Sequence, residues 1–166
     1  MIIKITNFPI GIHKFCFEKN VKELGLEKPF VEKLTLDCKL DKASHQIVLS
    51  CKLSVNAELS CDRCNSIYIS NLSTEFKLVY IFEPIKLTDD DFNTKIISPS
   101  AEKIDITPEV MDYVRLSIPM KNLCKEDCKG LCLFCGANLN EVNCQCSKDN
   151  LNPLWEPLIK IKNNLN

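Results

Sequence analysis

Eight of the eleven cysteines in this 166-residue chain fall into four close pairs: Cys61-x2-Cys64, Cys124-x3-Cys128, Cys132-x2-Cys135 and Cys144-x-Cys146. No other feature restricts the fold as much. A close pair on a tight turn supplies two thiolates, and two such pairs complete the tetrahedral shell that a structural zinc ion takes. In a secreted chain the same density would point to disulfides, and in a reducing compartment it points to metal or redox chemistry. Met1–Gly11 has neither the basic start nor the unbroken apolar stretch of a signal peptide. No apolar run reaches the length of a membrane span. The expected location is therefore cytoplasmic, with no membrane partner, and metal is favoured over disulfides.

The segment Cys132-Leu133-Phe134-Cys135-Gly136 has the form of a zinc knuckle. The glycine after the second cysteine lets the backbone turn so that amides face sulfur. The spacing allows two all-cysteine sites. One takes Cys61, Cys64, Cys124 and Cys128; the other takes Cys132, Cys135, Cys144 and Cys146. An interleaved arrangement and a single shared zinc are the alternatives, so one or two zinc ions are expected per chain. In either case no ligand position is left for water, which marks a structural site. Cys38 and Cys51 lie in the apolar phase of strands and read, with Cys16, as core residues rather than ligands.

The clearest periodic signal runs from Ile47 to Ser60. Ile47, Leu49, Cys51, Leu53, Val55, Ala57 and Leu59 hold one phase and polar residues the other, broken only by Val48. That is a long strand with one wet face. It enters Cys61–Cys64 directly, and a second alternating run through Tyr68, Leu72, Phe76, Leu78 and Tyr80 follows. The first CxxC thus sits at the tip of a β-hairpin. Strands are expected at 34–40, 46–60 and 66–82, with a short one at Met1–Thr6. Glu18–Leu26 reads as a short helix closed by Gly25 and Pro29. A second helix over 107–118 takes Thr107 as N-cap and Pro108 at its first position, and ends before Pro119. It should cover the sheet through Val110, Val114 and Ile118.

The expected fold is α+β: a mainly antiparallel sheet or partial barrel, one packed helix and a knuckle-like Cys-rich tract. One domain is expected over 1–166. Its parts are a β-rich body at 1–82, an acidic loop at 83–106, the helix at 107–118, the Cys-rich tract at 119–147 and a tail at 148–166.

Composition narrows the chemistry. Net charge is −1, which excludes a strongly basic nucleic-acid arm. Residues 83–112 carry three lysines against eight acids, which leaves the remainder net basic. Only four glycines occur, in no phosphate-binding loop, and His13 and His45 sit near no paired carboxylate. Asp89, Asp90 and Asp91 read as a solvated loop, and Trp155 as a packing residue. Arg63, Arg115, Lys125 and Lys129 would either touch phosphates or offset thiolate charge. No catalytic constellation emerges.

The run from Cys124 through Cys128, Cys132 and Cys135 to Asn140, ending in Cys144-x-Cys146, resembles the signature of the YceD family. So do the upstream Cys61-Asp62-Arg63-Cys64, the helix closing in Ile118-Pro119, and the tail Asn152-Pro153-Leu154-Trp155. One departure is Leu133, where the family often has proline. The resemblance implies a factor for large ribosomal subunit biogenesis that supports 23S rRNA accumulation or processing. The partner would be a large-subunit rRNA precursor or a ribosomal protein, with no small-molecule substrate. No catalytic residue carries over. The rival readings are a thiol-disulfide oxidoreductase and an rRNA-processing nuclease. The first needs a CxxC capping a helix, and the second needs clustered carboxylates or histidines.

Overall fold

The alternating run of Ile47–Ser60 becomes the centre of the molecule. In the computed structural model, which describes residues 1–82 and 93–146, strand β4 spans Gln46–Ser60 and alternates buried and open positions along its length. It pairs antiparallel with β3, Phe30–Lys42, on one side and with β5, Ile67–Ile81, on the other. Strand β2, Gly11–Asn20, adds to the free edge of β3, and β6, Thr94–Ile96, lies parallel beside β5. The sheet order is therefore β2-β3-β4-β5-β6. Among the described residues the two outer strands do not pair, so the sheet does not close into a barrel. Strands β1, Ile2–Lys4, and β7, Lys103–Asp105, form a separate antiparallel pair.

One face of the large sheet is the core. Leu36, Leu40, Leu49, Leu53 and Val55 are essentially sealed from solvent. Each such side chain contributes about 1.5–3 kcal/mol through burial. Cys38 and Cys51 face each other across β3 and β4 in this layer, with sulfurs 2.7 Å apart. The neighbouring thiol, followed by burial, pushes the Cys38 pKa up. Val48, the one break in the alternation, sits half-buried on the other face. Helix α1, Thr107–Leu116, covers the core with Val110 and Val114 fully buried, and Tyr113 stacks on Phe76 at 4.3 Å between ring centroids. Ile118 packs against the same core just beyond the helix.

Four expectations change. Glu18–Leu26 is not a helix: β2 runs to Asn20, and only Val21–Leu24 forms a helical turn, closed by Gly25 at a φ of 69°. The alternation His13, Phe15, Phe17 was the signal for that strand, and at a sheet edge its apolar side is only half-buried. Cys16 falls in the opposite phase and is exposed rather than in the core. The acidic loop contains β6 and β7; Asp89–Asp91 lie outside the described residues, as does the tail with Trp155. The helix N-cap is Ile106, not Thr107, and its side chain makes no cap bond. Asp105, the residue before it, serves the first turn instead, its carboxylate accepting from the Thr107 amide at 2.9 Å and the Thr107 hydroxyl at 2.5 Å.

Those two hydrogen bonds hold the Asp105 carboxyl below its ordinary pKa of 3.8. A depressed carboxylate pKa stabilises the fold above the unfolded value and loses that effect as pH falls through the folded one. Asp105→Ala is accordingly expected to cost about 1 kcal/mol at neutral pH. The cost should shrink towards pH 3, as read by urea unfolding at the two pH values.

Candidate metal centre

The chain divides into two compact units. The first is Met1–Ser60 with Ile67–Asn122; the second is Cys61–Ser66 with the chain from Leu123 onward. All eight paired cysteines belong to the second. Their sulfurs gather as Cys61, Cys64, Cys124 and Cys128 in one group and Cys132, Cys135, Cys144 and Cys146 in the other. Within each group the sulfurs lie within 4.8 Å of one another. Of the arrangements that the spacing allows, this is the one with two separate sets of four. Cys16, Cys38 and Cys51 lie in the first unit and join neither.

Both CxxC segments fold into the same turn. At Cys61, the amide donates to Ser66 O at 3.0 Å and its carbonyl accepts from the Asn65 amide at 2.8 Å. At Cys132, the amide donates to Ala137 O at 2.8 Å and its carbonyl accepts from the Gly136 amide at 2.9 Å. The fifth position is left-handed in each, Asn65 at a φ of 57° and Gly136 at 72°. Glycine adopts that conformation freely and asparagine is the next most tolerant residue. Cys61–Ser66 is therefore a second knuckle, and the sequence signal for it was Asn65 in the glycine place.

The groups differ in environment. Cys61, Cys64 and Cys128 are buried, whereas Cys135 and Cys146 are exposed. In the first group, Cys61 and Cys128 sulfurs are 3.8 Å apart and those of Cys64 and Cys124 3.7 Å. In the second, Cys135 and Cys144 are 3.6 Å apart and Cys132 and Cys144 3.3 Å. Four thiolates around one zinc at ~2.3 Å would stand ~3.8 Å from each other, so the donor sets fit a tetrahedral ion. The backbone is arranged for thiolate. Amides at Cys124, Cys64 and Arg63 bring the Cys61 thiol down to about 6. Those of Cys135 and Phe134 do the same for Cys132, also to about 6. The Ser66 hydroxyl lowers Cys64. Burial and then the neighbouring thiols push Cys124 up to about 12, and Cys144 does so for Cys146. Four crowded thiols resist joint ionisation unless a cation sits among them.

Three residues that spacing did not reveal as part of the site lock the first group. Arg63 donates to the Cys128 carbonyl at 2.8 Å and to the Glu126 carbonyl at 3.3 Å. It clamps the backbone of the second cysteine pair. Asn140 donates to the Cys128 sulfur at 3.3 Å and accepts from the Lys129 amide at 2.9 Å. Gly130 has a φ of 78°, and a Cβ there would stand 3.1 Å from the Arg63 carbonyl oxygen. That oxygen accepts from the Leu131 amide at 3.1 Å, and the Gly130 carbonyl accepts from Leu139 at 2.9 Å. Left-handed geometry alone costs a non-glycine residue about 1–2 kcal/mol. Gly130→Ala should therefore cut hydrogen-exchange protection at the Leu131 and Leu139 amides roughly tenfold or more.

The model of a family described as large ribosomal RNA subunit accumulation protein YceD matches residues 49–162. Among curated proteins, a chloroplastic large ribosomal RNA subunit accumulation protein YCED homolog 1 of Arabidopsis thaliana is 28% identical over 126 residues. That alignment covers 60% of this chain and 39% of the relative. The homolog 1 of Zea mays is 41% identical over 68 residues, 40% of this chain and 23% of the relative. An uncharacterized protein of Mycobacterium leprae is 23% identical over 145 residues, 84% of this chain and 65% of that protein. The chain thus spans well under half the length of the plant relatives. No solved structure matches it. Among the described residues, no helix is long and apolar enough to cross a membrane.

Proposed function

The chain belongs to the YceD family, and from that membership and its two four-cysteine groups we propose that it is a non-catalytic, zinc-stabilised factor supporting large-subunit ribosomal RNA accumulation. The family match carries this reading, because it spans both cysteine groups and the hairpin that joins the first of them. The plant relatives are named for accumulation of large-subunit rRNA, and this chain would act on the same molecule or on a ribosomal protein bound to it.

Zinc is the metal of choice for an all-thiolate tetrahedral shell. Each group offers four sulfurs, so each ion would be closed to water and substrate and would act as a cross-link. Two observations favour this over thiol-disulfide exchange. Each CxxC turn doubles back in a knuckle rather than opening a helix, and each is clustered with a second cysteine pair. An exchange dithiol needs one accessible low-pKa sulfur free of such partners.

Deleting the gene and measuring the ratio of large- to small-subunit rRNA tests the function. The ratio should fall and recover with a plasmid copy. An unchanged ratio overturns the reading.

A further inference from the structure

The solvent face of the large sheet carries a row of lysines. The strand register aligns Lys14 of β2, Lys39 of β3, Ser50 of β4 and Lys77 of β5 directly opposite one another. All four are exposed. Strand spacing puts the ends of this row roughly 14 Å apart. Among the described residues, none of the three lysines has an ion pair or side-chain hydrogen bond. Lys14 and Lys39 are paired cross-strand neighbours, and like charges placed so are destabilising.

The next row forms a second wall, and between the two runs a trough of about 860 Å³ crossing four strands. Its floor is the backbone of Phe15, Cys38, Cys51 and Phe76, whose side chains belong to the opposite face. None of the core leucines on the rows beside them borders it, so the trough opens to solvent on the lysine side. The second wall holds one lysine against two carboxylates. Lys52 pairs with Glu75 at 3.5 Å, and Asp37 is an exposed carboxylate. Four lysines against two carboxylates leave the trough net positive, in a chain whose net charge is −1.

We infer that this trough binds a single-stranded RNA backbone laid across the sheet, with Lys14, Lys39 and Lys77 each meeting a phosphate and the Ser50 hydroxyl donating between them. The inference rests on the rRNA reading above and names a surface for it. A linear row of ammonium groups with a hydroxyl among them suits a phosphodiester chain. Neither wall offers the aromatic or branched aliphatic anchor on which a protein partner would build an interface. The contact reads charge and shape, not base sequence.

The test uses the full chain and a fluorescent 12-nucleotide oligouridine, titrated at several salt concentrations. The triple variant Lys14→Gln, Lys39→Gln, Lys77→Gln is compared with Lys22→Gln, Lys103→Gln, Lys121→Gln. The second set removes the same charge from exposed lysines outside the trough. The trough variant should bind at least tenfold more weakly than the parent at moderate salt. Its slope of log K against log salt should be shallower by about 2, since each single-strand phosphate contact contributes about 0.7. The control set should bind nearly as the parent does. Equal losses in the two sets, no loss in either, or no binding by the parent would overturn the assignment. So would an oligoglutamate peptide that binds the trough as tightly as the RNA, which would give it to an acidic protein. These outcomes are separable from the gene deletion. Lost rRNA without trough binding sinks the trough alone, and lysine-dependent binding with normal rRNA sinks only the accumulation role.

Discussion

With zinc in the two four-cysteine groups as proposed, a strong chelator added to the purified chain under reducing conditions is expected to open the second unit while the β-sheet signal in circular dichroism persists. The reason is the poverty of that unit in anything else that could hold it. Among its described residues only Cys61, Cys64, Cys128 and Gly130 are buried. Leu133 is 97% exposed, and Phe134 and Val142 are about half exposed, so no apolar core replaces the ions. A structural zinc site contributes an apparent 10–16 kcal/mol, roughly, in small domains of this kind. The hydrogen bonds of Arg63 and Asn140 add about 1 kcal/mol each. Trypsin should then cut first after Lys125 and Lys129. Cys128→Ala should mimic half of this, removing one ion and exposing 124–128 to cleavage while the group at 132–146 keeps its own. Identical digestion patterns with and without chelator would count against the reading.

The second large effect lies in the sheet. Leu53 is sealed in the centre of β4, between Leu36 of β3 and Thr74 of β5. Leu53→Ala removes a buried isobutyl group and leaves a cavity, and such changes cost about 2–5 kcal/mol. Against a total stability of about 5–15 kcal/mol, that is a large fraction. Urea unfolding should show a lower midpoint at an unchanged slope. Ser73→Ala, on the exposed face of β5, should stay within about 0.5 kcal/mol of the parent. A Leu53→Ala midpoint indistinguishable from that of Ser73→Ala would show that the face carrying Leu36 and Leu53 is not the core.

What could be read from the residues was local. The strand of Gln46–Ser60 is visible because fourteen residues alternate, broken only at Val48, with no glycine or proline among them, and the cysteine pairs because each lies within a single turn. The ends of helix α1 were also close, since Pro108 and Pro119 punctuate it. What failed was edge and distance. Strand β2 went unseen because an edge strand with a half-covered apolar side alternates weakly, and its charged end imitates a helix. The short strands β6 and β7 have no alternation to show; β7 exists because β1, about a hundred residues earlier, lies beside it. The Arg63 clamp depends on where the 126–128 carbonyls arrive in space. Asn65 was legible in principle, as the residue that most nearly replaces glycine in a knuckle.

The central claim is that two closed four-cysteine sites hold zinc as structural cross-links. Native mass spectrometry of the full chain, purified without chelator in the presence of reductant, tests it most directly. The account predicts two zinc ions on the parent and one on Cys128→Ala. A folded parent that carries no metal, or whose mass shows the paired cysteines oxidised to disulfides, would contradict it.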